Sequence, residues 1–487
     1  MRQLKNSLIY TLGGFGSKAI SLLMLPLFTR FLTPEDYGLL TVVTTVSMLI
    51  AGLASLQLRA GYARNLFDFK APLYRQQLLE TALSSLVVLN VTVVALCCLC
   101  QPVFGWFYPE IKFYPYFFIT LLALPVSAVL DVMQVHYRMT EQPGKFVLLS
   151  WAQIISGIFF SVLFVVVIKW HALGMCYAGL AAGIVSFVIA VWSFPHRLRW
   201  YFENSQFRGM FRYGLQVIPY TMITIVITNV DRFLINRYAT LAELGLFGVA
   251  LRLASAFRVF GDSAEMTFTP YFFRLASQHR REDIACDLGC KATWVMAVFI
   301  FLGTCVMLVS SEVVLLILPS KYQGVGGLLP WLVLAAVFNV IDSLGAIGAQ
   351  FVKKMIAYTP ICLAAGVLNL ALDLLLLPRL GARGAAMAAA AGALLMMLLR
   401  IAYSQRVYAV GYQWGRLLLC VGASCLVLAI GSVCSFMLPV WSALVSKLML
   451  MAVLGVAISS FMSWWHHWQT LRHAMVGMIQ RIASPIV

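Results

Sequence analysis

Charge is scarce in this chain. Asp, Glu, Lys and Arg make up 11% of its 487 residues and hydrophobic residues 62%, against roughly 25% charged and 45–50% apolar in soluble domains. No soluble core could hide that much apolar surface, so a soluble globule is excluded. Acid is scarcer than base: 18 Asp and Glu stand against 35 Lys and Arg, a net charge of +17. In a soluble domain such an excess would point to nucleic acid; here it first reports which loops face the cytoplasm. Long polar loops are missing too, which leaves no room for a folded outward domain. A cleavage site is also lacking, because Met1-Arg2-Gln3-Leu4-Lys5 opens onto an apolar stretch too long for a leader, with no small-x-small pattern before Leu25-Pro26. The first helix is therefore expected to stay. The eleven cysteines lie mostly in apolar runs, and Cys286 and Cys290 have no His or second Cys pair beside them. They read as small packing residues rather than metal ligands.

What the chain does have is apolar runs of about twenty residues, the length that crosses a bilayer. They fall near 8–31, 38–58, 80–102, 114–136, 146–168, 172–194, 212–236, 243–269, 291–318, 326–350, 355–378, 384–405, 415–437 and 441–463. The fold class expected is an all-α integral membrane protein of about 14 transmembrane helices. With residues near the end of a run counted to that side, 23 of the 35 Lys and Arg lie on the side of the N-terminus and 8 on the other. The positive-inside rule then places both termini in the cytoplasm.

Sliding the sequence by 207 residues lays Arg30-Phe31-Leu32-Thr33 and Gly38-Leu39 on Arg237-Tyr238-Ala239-Thr240 and Gly245-Leu246, and Leu173-Gly174 on Leu380-Gly381. Each repeat holds six runs, an even number, so the halves are related by an axis along the membrane normal. The expected domains are a six-helix bundle over 1–205, a second over 206–410, and two further helices with a tail over 411–487. Two facing bundles are the architecture of an alternating-access transporter. Between the first two runs Thr33 can cap a helix, Pro34 suits its first position, and Glu35 and Asp36 suit its positive end.

A charge at mid-bilayer costs roughly 2.5–3.5 kcal/mol even on insertion scales, so one that persists must face a cavity or a partner. Lys18 in the first run and Arg252 in the eighth reach about the same depth. Arg252, Ser255, Arg258, Asp262 and Glu265 recur at spacings of three and four, which puts them on one helix stripe. That stripe reads as a wet lumen; alternatively, Arg258 pairs with Asp262 and Arg252 binds a carbonyl. Asp231 in the seventh run and Asp373 in the eleventh also share a depth, with Asn369 one turn from Asp373. Two carboxylates and an amide suit a hard monovalent cation such as sodium, or one carboxyl can carry a proton; alternatively, Asp231 neutralises Arg232. Asp131 and Asp342, near inner helix ends, are open to either solvation or function.

Leu25-Pro26-Leu27-Phe28-Thr29-Arg30-Phe31-Leu32-Thr33-Pro34-Glu35-Asp36-Tyr37-Gly38 resembles the opening of Wzx-type oligosaccharide flippases. Asn229-Val230-Asp231-Arg232-Phe233 with Leu244-Gly245-Leu246-Phe247, and Asn369-Leu370-Ala371-Leu372-Asp373 with Leu377-Pro378, resemble two later signatures of that family. The resemblance spans nearly the whole chain and places it in the multidrug/oligosaccharidyl-lipid/polysaccharide exporter superfamily. It implies no enzymatic activity, no cofactor beyond a coupling sodium ion or proton, and residence in the bacterial inner membrane. The implied substrate is an undecaprenyl-pyrophosphate-linked oligosaccharide, flipped outward for O-antigen, capsule or exopolysaccharide synthesis, with glycosyltransferases and a polysaccharide polymerase as partners and no nucleic acid. By similarity to peptidoglycan-precursor flippases, Lys18, Arg252 and, loosely, Arg59 would form the cationic cavity, which Arg258 joins by its place on the stripe, and Asp231, Asn369 and Asp373 would form the cation site. A further ligand those relatives take from the twelfth helix has no polar counterpart between Ala385 and Ala391. The alternatives are a multidrug exporter of the same superfamily, which would want acids in its cavity, and a membrane polymerase or ligase, which would want a large outward loop or a metal-binding acidic motif.

Overall fold

Thr33 starts the second crossing helix as its side chain predicts. Its Oγ1 accepts the Asp36 N–H at 3.2 Å and its own N–H donates to Asp36 Oδ2 at 2.9 Å, closing a capping box with Pro34 in the first turn. In the computed structural model the structure describes residues 20, 22–66, 72–194, 199–278, 281–352, 357–437, 442–458 and 460. Among these every regular element is helical. Twelve helices are long and apolar enough to cross a membrane. In chain order, with two shorter apolar helices at the ends, they are α1 (Leu22–Phe31), α2 (Pro34–Ala54), α3 (Leu73–Leu99), α4 (Phe113–Met139), α5 (Pro143–Val167), α6 (His171–Ser193), α7 (Asn204–Tyr238), α8 (Leu241–Ala276), α9 (Leu288–Leu308), α10 (Val325–Gly345), α11 (Tyr358–Leu380), α12 (Ala382–Val407), α13 (Trp414–Cys434) and α14 (Ser442–Ile458). Each apolar run of the sequence thus contains a helix. The glycines at 13, 14 and 16, and Trp464 to Trp468, lie outside the described residues.

By contact the described residues fall into two units. The first draws on Met1–Ala256, Ile317–Val325 and Leu370–Ala388, the second on Phe257–Leu316, Gly326–Asn369 and Ala389–Val487. In the first unit, Leu58, Tyr62, Leu78, Leu79, Met133, Tyr137 and Met210 form one buried cluster that joins α3, α4 and α7 through the short helix Leu58–Asn65. In the second, Leu308 of α9, Val427 of α13 and Leu454 of α14 are buried together. Lys447 Nζ of α14 there donates to Glu312 Oε1 at 2.6 Å, with both side chains about 95% shielded.

Two close approaches inside the first unit fall at positions 207 apart in sequence. A Cβ on Gly38 of α2 would overlap the Leu241 carbonyl of α8, and a Cβ on Gly245 of α8 would overlap the Pro34 carbonyl of α2. Those four positions are two pairs at the repeat offset, so α2 and α8 meet by one contact made twice. The acids beside them act alike. Asp36 lies 3.7 Å from His171 at the start of α6, and Glu243 Oε2 accepts the Ala382 N–H at 2.8 Å at the start of α12. Each places a negative group where a helix begins. Gly381, at φ +58°, supplies the left-handed residue that lets α11 end and α12 begin at once.

Candidate functional site

Arg252 stands about eleven residues into α8, roughly 16 Å along its axis. It lines a cavity of about 240 Å³ in the first unit, together with Ile20, Met24 and Phe28, Tyr37 of α2, and Gln153 and Ser161 of α5. Its guanidinium lies over the Tyr37 ring, 5.1 Å from the centroid. Tyr37 meets Tyr322 edge to face at 5.8 Å, and the Tyr322 hydroxyl donates to the Leu32 carbonyl at 2.9 Å. Burial holds that hydroxyl above its ordinary pKa, so it remains a donor. Tyr37 is 1% exposed, and its hydroxyl has no hydrogen-bond partner among the described residues. Nor does any carboxylate there form an ion pair with Arg252. An unneutralised guanidinium beside an orphaned O–H and two polar side chains is suited to an oxyanion.

The other basic residues of interest are placed differently. Lys18 lies outside the described residues, two positions before Ile20 in the cavity wall. Arg59 Nη1 stands 4.0 Å from Asp131 Oδ2, both side chains more than half exposed, and does not line this cavity. Arg258 belongs to the second unit, where its Nε is 3.7 Å from Asp262 Oδ1 one turn on. Ser255 donates to the Arg252 carbonyl at 2.7 Å, which occupies its hydroxyl on its own helix. The stripe on α8 therefore holds one arginine with an acid beside it and one without.

In the first unit Asp231 of α7 and Asp373 of α11 lie close enough for their carboxyls to interact electrostatically. Asp373 is 0% exposed, and the described residues supply no donor to either of its oxygens. Two carboxyls this near one another, one of them buried, favour a shared proton or a cation between them. Arg232 is tied elsewhere by hydrogen bonds: its Nη1 donates to Asn229 Oδ1 and, at 3.3 Å, to Thr45 Oγ1. Asn369 falls in the second unit, 8% exposed, where a Cβ on Gly392 of α12 would come within 3.1 Å of its own Cβ. Ala385, Ala386 and Ala388 of α12 are buried and bring no oxygen side chain.

Two buried pairs were not foreseen. Arg400 Nη1 of α12 donates to Asp342 Oδ2 of α10, with the guanidinium 4.3 Å from the Tyr358 ring centroid of α11. Glu312 and Lys447 form the other. The signal for both was a cation inside an apolar run.

A family model described as "Polysaccharide biosynthesis protein" matches residues 27–326, more than half of the chain. Among solved structures, the chain is similar to the lipid II flippase MurJ in an inward closed conformation, with TM-score 0.73 and 14% identity over 93% of this chain and 98% of that one. It is also similar to an inward-facing multidrug resistance MATE family transporter of the MOP superfamily, with TM-score 0.64 and 13% identity over 82% and 95%. A MOP superfamily transporter from Pyrococcus furiosus, described as having a binding pocket of reversed polarity, gives TM-score 0.55 and 15% identity over 83% and 96%. At these identities the likeness establishes the fold. No curated protein sequence matches.

Proposed function

Because the chain belongs to the polysaccharide biosynthesis protein family, we propose that it is a flippase that moves a polyprenyl-pyrophosphate-linked oligosaccharide from the cytoplasmic to the outer leaflet of a bacterial inner membrane. The need is physical, since each sugar hydroxyl taken into hydrocarbon without a partner costs about 4–8 kcal/mol on the cyclohexane scale. The observation that carries the reading is Arg252, a cation within a membrane-crossing helix that lines a cavity with no acid paired to it among the described residues. An anionic pyrophosphate supplies the missing counter-charge. A multidrug exporter of cationic compounds would want a carboxylate at that place, and the described residues lining the cavity include none. The nearness of Asp231 to Asp373 supports a second role, carriage of a proton or sodium ion that resets the carrier after release. Transport of this kind involves no covalent catalysis.

The test is export in cells lacking the wild-type protein. Arg252→Ala and Lys18→Ala are each expected to lower surface polysaccharide at least about tenfold, the loss of one charge-assisted contact or more, with the protein present in the membrane at normal amount. Unchanged polysaccharide in both variants removes these residues from the substrate site.

A further inference from the structure

On the face that the Lys and Arg count assigns to the cytoplasm, the first unit contains a second cavity, of about 520 Å³. It is formed by the end of the short helix Leu58–Asn65, the first turns of α3, and the segment that leads into α7. Asn65, Gln77, Tyr201, Glu203, Ser205 and Gln206 line it with hydrogen-bonding groups. No Lys or Arg among the described residues lines it, although Arg64, Arg75 and Arg208 flank it in sequence.

The polar groups are fixed in orientation. Thr81 Oγ1 accepts the Glu203 N–H at 3.2 Å, so its own proton goes to Gln206 Oε1, also at 3.2 Å. Gln206 is 8% exposed, and with its carbonyl end held by Thr81 its NH₂ is the end available to the cavity. Glu203 caps α7, accepting from Ser205 Oγ at 3.0 Å and from the Tyr201 hydroxyl at 3.4 Å. Desolvation and the Glu203 carboxylate both raise the Tyr201 pKa and keep that hydroxyl a donor. Gly209 has no side chain where the Asn65 amide nitrogen sits, 3.1 Å from where a Cβ would be.

We propose that this cavity is a docking subsite for neutral sugar units of the glycan, an inference that rests on the flippase function proposed above. A sugar offers donor and acceptor on every hydroxyl, and amides beside a carboxylate satisfy both; the Glu203 carboxylate, with no Lys or Arg beside it among the described lining residues, disfavours a phosphate. The rings of Tyr74 and Tyr201 add apolar faces for sugar C–H groups. The subsite thus reads the cargo, while Arg252 reads the anionic carrier.

The experiment uses the full-length protein in nanodiscs with two probes. One is undecaprenyl pyrophosphate without sugar; the other is a panel of free neutral di- to tetrasaccharides covering hexoses, N-acetylhexosamines and 6-deoxyhexoses, followed by saturation-transfer NMR. At least one saccharide binds, and Gln77→Ala and Gln206→Met each weaken it roughly fivefold to tenfold, the loss of about one hydrogen bond, while undecaprenyl pyrophosphate binding persists. Gln77 is only partly buried, so its variant reports even where Gln206→Met disturbs packing with Thr81. No saccharide binding, or binding indifferent to both variants, overturns the subsite. Saccharide binding without any binding of undecaprenyl pyrophosphate leaves the subsite standing and overturns the lipid-linked reading instead.

Discussion

Arg252 is stabilised by a ring rather than by an acid. The face of Tyr37 attracts the guanidinium by about 0.5–2 kcal/mol without cancelling its charge, so the charge remains for a ligand. A charge standing alone in an apolar run is the strongest signal a membrane sequence offers, and it made Arg252 legible. Tyr37 was quoted within the opening motif, yet an aromatic in a first helical turn carries no sign of what it will face. The acids Asp231 and Asp373 were legible as equal depth on two helices, whereas their approach to one another needed the fold. Asp373→Asn replaces one acid with an amide that donates to Asp231 without a proton or cation. The expected result is slower transport that no longer responds to an imposed sodium or proton gradient in proteoliposomes. A variant whose rate still follows the gradient argues against coupling at this pair.

At the scale of elements, the apolar runs located the helices because each must satisfy its own backbone in lipid. Their ends were harder to place. α7 begins at Asn204, before its apolar run, because Glu203 caps it and polar first turns cost little at an interface. The repeat offset could be read from Gly38 and Gly245, and the structure adds the reason for them, two backbones in contact. Nothing in the sequence told which helices α13 and α14 would join, since lipid-facing and helix-facing apolar residues look alike; the pairing of Lys447 with Glu312 on the α9 side answers it. Lys447→Met leaves a buried carboxylate without its partner, which typically costs about 3–5 kcal/mol. A fall in the thermal midpoint of the purified protein checks this, and adding Glu312→Gln should restore most of the loss.

For the molecule as a whole, outward movement of an anionic lipid head works with an inside-negative membrane potential. Each net negative charge gains about 2.3 kcal/mol per 100 mV. Proteoliposomes with an imposed inside-negative potential are expected to flip a polyprenyl pyrophosphate outward faster than unpolarised ones, and dissipating the potential should remove the difference. A rate blind to potential means that the head group crosses with its charge compensated, which would turn attention to a cation travelling with it. The fold class follows from composition because that quantity sums over many residues; the cavities depend on a few side chains meeting across helices, and no sum reveals them.

The doubled glycine contact has a bearing on tolerance to change. Because Gly38 rests on Leu241 and Gly245 on Pro34, damage at one position has a twin far along the chain. A saturation survey of variants should carry an echo, with intolerance at the first glycine returning at the second, while the lipid-facing neighbours of each accept almost any apolar side chain.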